Sequence, residues 1–128
     1  MTQILIDTHV LLWWLADDER LGPESRTQVG DGETRVLVSA ASVREIAIKR
    51  ALGKLDAPSN LETVLADEGF DSLSIETAHA ERAGALPALH RDPFDRMLVA
   101  QAAIERFVLM TADATIRDYD VRTVDASV

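Results

Sequence analysis

Hydrophobic positions along the chain fall into short runs separated by longer amphipathic stretches. ILID (Ile4–Asp7) is apolar and β-branched and ends in an acid, the pattern of a buried strand. THVLLWWLAD follows at once, apolar nearly all round, and predicts a buried or interface-forming helix. LGPESRTQVGDG puts Pro23 at a first helical position and ends in glycines, which predicts a short surface helix. RVLVSA (Arg35–Ala40) is a second strand. ASVREIAIKRALGKL is a helix with Val43, Ile46, Ala47, Ile48 and Ala51 apolar and Gly53 as its stop. DAPSN is a loop, and LETVLADEGF a helix ending near Gly69. DSLSI is a weak strand, and TAHAERAGAL a helix opened by Thr77. After Pro87 another helix runs from Pro93 to about Arg106. FVLMTAD (Phe107–Asp113) is the clearest later strand, ATIRDY one or two helical turns, and VRTVDA a last strand.

Strands alternating with helices from end to end predict an α/β fold with a mostly parallel sheet covered on both faces. No repeat, low-complexity tract or linker interrupts the pattern, so residues 1–128 read as a single domain. A domain of this length buries roughly 70% of the surface its unfolded chain exposes, enough for an ordinary core. There is no cysteine, which excludes thiolate zinc sites and a cysteine nucleophile. MTQILID has no basic leader, and no apolar stretch reaches the ~20 residues of a membrane span. The expectation is a soluble cytoplasmic protein. The net charge of −9 argues against bulk attraction to nucleic acid. Local basic residues remain: Arg44, Lys49, Arg50 and Lys54 in one segment, and Arg91 and Arg96 around DPFD.

In an open parallel sheet, sites form beyond the C-terminal ends of the strands, near the point where strand order reverses. Asp7 closes the first strand and Asp113 lies just past FVLMTA. Glu45 in SVRE and Asp95 in DPFD begin helices that follow loops on the same side. The four acids therefore converge on one edge if the fold is as predicted. Each also has a plain structural role available. Asp7 can cap the following helix. Glu45 sits three residues after Ser42, the spacing of a capping box. Asp92 before Pro93 has the form of an N-cap, and Asp95 then lies in a first turn favoured by the helix dipole. Asp113 can cap ATIRDY. Four acids on one edge is what those separate roles leave unexplained.

Carboxylates gathered within a few ångströms raise one another's pKa, so they share protons or bind cations. Oxygen ligands without His or Cys suit Mg²⁺ or Mn²⁺, and the chemistry such a site supports is phosphodiester hydrolysis. His9, His79 and His90 show no spacing that suggests a metal or nucleophilic role and are assigned none.

ILIDTHVLLWWL, VSAASVREIAIKRALGKL, HRDPFDRMLVAQA and LMTADATIRDY together resemble PIN-domain ribonucleases of the VapC type, the toxin halves of toxin–antitoxin modules. The motifs occur in order over essentially the whole chain. The resemblance implies a PIN-like three-layer sandwich and a Mg²⁺- or Mn²⁺-dependent endoribonuclease. It also implies an RNA substrate, a homodimer and a cognate VapB-type antitoxin. By position, Asp7, Glu45, Asp95 and Asp113 match the family's catalytic, metal-holding quartet, and Thr111 a hydroxyl residue beside it. Asp92 falls on the first acid of DPFD, where capping is the preferred role. Arg96 either pairs close to the acids or is structural. Arg44 departs from the family, which more often has a bulky aromatic there. Trp13 and Trp14 read as core residues, with a dimer or antitoxin groove as the other use. The alternative reading is a non-catalytic PIN-like module that binds RNA or protein. A phosphoaspartate enzyme ranks last, because IDTHV offers one acid and no lysine follows FVLMTAD.

Overall fold

The alternation of Ile4, Leu5 and Ile6 decides the layering. In the computed structural model, which describes residues 2–128, Ile4 and Ile6 face one hydrophobic cluster and Leu5 the other. They belong to β1 (Thr2–Ile6), the middle strand of five. Its neighbours are β2 (Thr34–Ser39) and β4 (Val108–Thr111), and the edges are β3 (Asp71–Leu73) and β5 (Thr123–Asp125). The order is β3-β2-β1-β4-β5 and every pairing is parallel. Strands buried on both faces need no polar alternation, which is why they read as continuous Val/Ile/Leu runs.

Six helices cover the sheet: α1 (Thr8–Ala16), α2 (Pro23–Gly30), α3 (Ala40–Ala51), α4 (Leu61–Asp67), α5 (Thr77–Ala85) and α6 (Pro93–Glu105). Val10, Leu11, Val29, Ile46, Leu61 and Leu65 pack on Ile4, Ile6, Val36, Val38 and Met110, so α1 to α4 supply one face. Leu98, Val99 and Ala102 of α6 pack on Leu5, Leu37 and Leu109 on the other. Gln101, fully buried on α6, accepts from Ser39 Oγ at 2.6 Å and donates to the Ser74 carbonyl, tying α6 to the sheet.

The expected parallel sheet is parallel throughout, and ATIRDY forms one 3-10 turn, Ile116–Asp118. VRTVDA supplies β5 as expected, and the residues after it lie against Gly22. A Cβ there would meet the Val128 carbonyl carbon at 2.2 Å.

Register aligns the site. Ile6 pairs with Val38 and with Met110, so Asp7, Ser39 and Thr111 stand side by side on the C-terminal rim. Between β1 and β4 the strand order reverses, which opens the crevice where ligands enter folds of this kind.

Candidate functional site

Asp7 follows β1 directly and is 3% exposed. Its Oδ1 accepts from the Val10 N–H at 2.8 Å, capping α1, and its carboxyl also hydrogen-bonds the Thr111 hydroxyl. Burial raises its pKa, against those two hydrogen bonds. Capping therefore accounts for one of its oxygens and leaves the group on the rim beside Asp113, whose charge it feels. Thr111 is fully buried at the end of β4, and its Oγ1 accepts from the Asp113 N–H at 3.0 Å.

Glu45 is not in a capping box. Ser39 is the N-cap of α3, accepting from the Ala41 N–H, so Ser42 is already helical and accepts from the Thr8 hydroxyl instead. Glu45 lies in the second turn, 2% exposed. Its Oε2 accepts from Lys49 Nζ at 2.6 Å, while its Oε1 is buried with no hydrogen-bond partner among the described residues. The hydrogen bond from Lys49 to Glu45 raises the lysine's pKa, and Asp92 and Asp95 add to the effect.

Asp92 caps α6, its Oδ1 accepting from the N–H groups of Phe94 and Asp95, with Pro93 at the first helical position. Asp95, one turn in, turns toward the other acids. Burial first, then the charges of Asp92 and Asp7, with Glu45 adding less, push its carboxyl up to about 7. Asp113 lies in the loop after β4. Burial works to raise its carboxyl, but the His90 hydrogen bond and the Thr115 and Ile116 N–H groups hold it below its usual range.

The structure thus brings Asp7, Glu45, Asp95 and Asp113 within electrostatic reach of one another, from four separate segments. It also adds His90, which the sequence reading left without a role. Its Nε2 is 2.9 Å from Asp113 Oδ2 and 3.1 Å from Asp95 Oδ2. Its Nδ1 accepts from the Asp92 N–H at 3.1 Å, so the ring carries its proton on Nε2 and donates to the carboxylates. Arg96 does not touch the acids. Its guanidinium donates to the carbonyls of Ala83, Leu86, Pro87 and His90, clamping the loop that presents His90. Tyr119 completes the clamp, its hydroxyl accepting from the His90 N–H and donating to the Pro87 carbonyl. Lys49, read in the sequence only as one of the local basic residues, has its i+4 spacing from Glu45 as the signal that could have found it. His90 had only its place two residues before Asp92 to signal it.

His90, Asp95 and Asp113 offer ligand atoms within 4.8 Å of one another. A buried carboxylate oxygen without a donor and a carboxyl raised by neighbouring negative charge are both relieved by a cation. Hard oxygen donors suit a small divalent ion. The group fits one.

A parallel α/β domain with a carboxylate-rich crevice at its switch point is the class of protein these observations define. The PIN domain family matches residues 4–122, and the chain belongs to that family. It is 30% identical over 127 residues to Ribonuclease VapC22 of Mycobacterium tuberculosis (strain ATCC 25618 / H37Rv), covering 93% of each chain. Among solved structures, a chain of VapBC2 from Rickettsia felis bound to a promoter DNA fragment has a similar fold. Its TM-score is 0.71 at 10% identity, over 96% of this chain and 98% of that one. A chain of DNA-bound VapBC from Salmonella typhimurium gives 0.68 at 20%, over 98% of both. Among the described residues no helix is long and apolar enough to cross a membrane.

Proposed function

We propose that this protein is a Mg²⁺- or Mn²⁺-dependent endoribonuclease and the toxin of a VapBC-type toxin–antitoxin pair. The convergence of Asp7, Glu45, Asp95 and Asp113 on one crevice carries the reading. The relative named as a ribonuclease supports the reaction class. The reading brings with it a cytoplasmic location, a homodimer and a VapB-type antitoxin that covers the site.

Asp7, Glu45, Asp95 and Asp113 would hold the ion. When bound, it supplies Lewis acidity and positive charge for adding water across a phosphodiester P–O bond. The protein's own part is to aim the oxygens. Lys49 occupies Glu45 Oε2 and leaves Oε1 buried without a hydrogen-bond partner among the described residues. Thr111 orients Asp7 and holds the Asp113 backbone. The Asp95 carboxyl, raised to about 7 by burial and the neighbouring acids, is the group whose charged form a bound cation would favour.

The test is cleavage of total bacterial RNA by antitoxin-free protein in Mg²⁺, in Mn²⁺ and with chelator, beside Asp7→Asn and Asp95→Asn. Discrete metal-dependent cuts that vanish in both variants are expected. Equal cutting by the variants overturns the site. RNA binding without turnover in either metal replaces the enzyme with a binding module.

A further inference from the structure

A shallow cavity of about 280 Å³ opens directly in front of the acids, lined by Asp7, His9, Trp13, Ala112 and Asp113. Two of its walls are carboxylates, and two are aromatic. His9 and Trp13 stand one turn apart on α1, ring centroids 6.3 Å apart and planes tilted by 50°. His9 is exposed and Trp13 half-buried, so aromatic surface remains in contact with water beside the crevice. Trp13 is braced from outside. The Arg20 guanidinium lies 5.3 Å from its ring centroid, and Asp18 grips Arg20 through both carboxylate oxygens, at 3.1 and 2.7 Å. Both tryptophans are half-buried against the same core cluster, but Trp14 turns its edge to Glu68 and tilts against Phe70, whereas Trp13 lines the cavity.

Asp7 and Asp113 belong to the acids that would hold the ion beside the scissile phosphate, so the two rings are the part of the wall left for another portion of the substrate. A nucleobase is uncharged and flat, and its faces stack on aromatic side chains irrespective of its identity. We propose that this cavity is a base-stacking subsite, which seats one unpaired base of single-stranded RNA on Trp13 and His9 next to the cleaved bond. The inference rests on the ribonuclease reading and deepens it. A base held in a duplex has both faces covered by its neighbours and cannot occupy the cavity, so unpaired loops and ends are the substrate class.

The experiment uses the full chain with Asp95→Asn to prevent cleavage and Trp14→Phe to leave Trp13 as the single fluorophore. A short single-stranded RNA in Mg²⁺ is expected to quench Trp13 emission saturably. In a series of oligonucleotides each carrying one abasic position, one position is expected to weaken binding roughly tenfold. In the chain with native Asp95, Trp13→Leu is expected to raise KM by a similar factor with little change in kcat, and Trp13→Phe to recover most of that loss. Thermal melting of both variants checks that the fold persists. Equal binding of every abasic oligonucleotide, or an unchanged KM in a folded Trp13→Leu protein, overturns the subsite while leaving the nuclease standing. Quenching without cleavage by the native chain overturns the nuclease and leaves the stacking surface standing.

Discussion

Glu45 gives one carboxylate oxygen to Lys49, 2.6 Å away, and keeps the other buried with no partner among the described residues. The pair divides the group into a structural half and a vacant half. Removing the lysine leaves a buried charge without its counter-charge, a change that is destabilising even where the intact pair adds little. Because Lys49 is partly exposed, Lys49→Met is expected to lower stability by about 1–3 kcal/mol in thermal or urea melts. Divalent metal should restore part of the loss. A variant as stable as the native chain in chelator would show that the lysine does not hold the carboxylate.

Asp95 makes stability fall as pH rises. Its carboxyl titrates near 3.8 in the unfolded chain and at about 7 in the fold, so between those values the folded state binds more protons. Without metal, stability is therefore expected to decline from pH 4 to 7, by on the order of 1–2 kcal/mol after allowing for solvent screening. Asp95→Asn should flatten this decline, and Mn²⁺ should reverse it. Urea midpoints measured across that range, with and without chelator, give the answer.

Asp92 is expected to separate capping from charge. Asparagine keeps the oxygen that caps α6, while alanine removes it at a cost of about 1 kcal/mol. Both remove a negative charge that helps raise Asp95. Carbon-13 carboxyl titration should find Asp95 shifted down in both variants, with only Asp92→Ala losing stability. An unmoved Asp95 would mean that burial and the remaining acids set its value without Asp92.

His90 donates through Nε2 to Asp95 and Asp113, two of the acids proposed to hold a cation. A donor hydrogen aimed there competes with positive charge. His90→Ala is therefore expected to bind Mn²⁺ severalfold more tightly in calorimetric titration, while melting lower without metal. Weaker binding would make the imidazole a ligand.

Arg96 makes its hydrogen bonds to four carbonyls with one planar fork. Lysine cannot reproduce that geometry. Arg96→Lys is expected to destabilise by about 2–4 kcal/mol through unpaired carbonyls. It should also loosen the Pro87–Arg91 loop in hydrogen exchange. Unchanged protection there would remove Arg96 from the placement of His90.

The strands were legible because each is a run of apolar residues long enough to be buried on both faces. DPFD was legible as a cap because proline at a first helical position admits few other readings. The start of α3 was misjudged: β2 passes straight into the helix with no loop, and Ser39 rather than Ser42 takes the cap. The local pattern holds two serines, and only packing against Gln101 and the helix geometry separates them. His90 was illegible for a different reason. Its place depends on Tyr119 and on carbonyls gathered by Arg96, relationships that exist only once the chain is folded.

The acids lie on segments that β1 joins from both sides, with β4 completing the rim only after most of the chain has passed. No N-terminal fragment can assemble the cluster, since Asp7 waits for a partner near the other end. During synthesis the ribosome therefore holds a chain that is chemically silent until its last strands emerge. A cut in the loop between α5 and α6 would yield two inert halves whose chemistry returns only on reassociation.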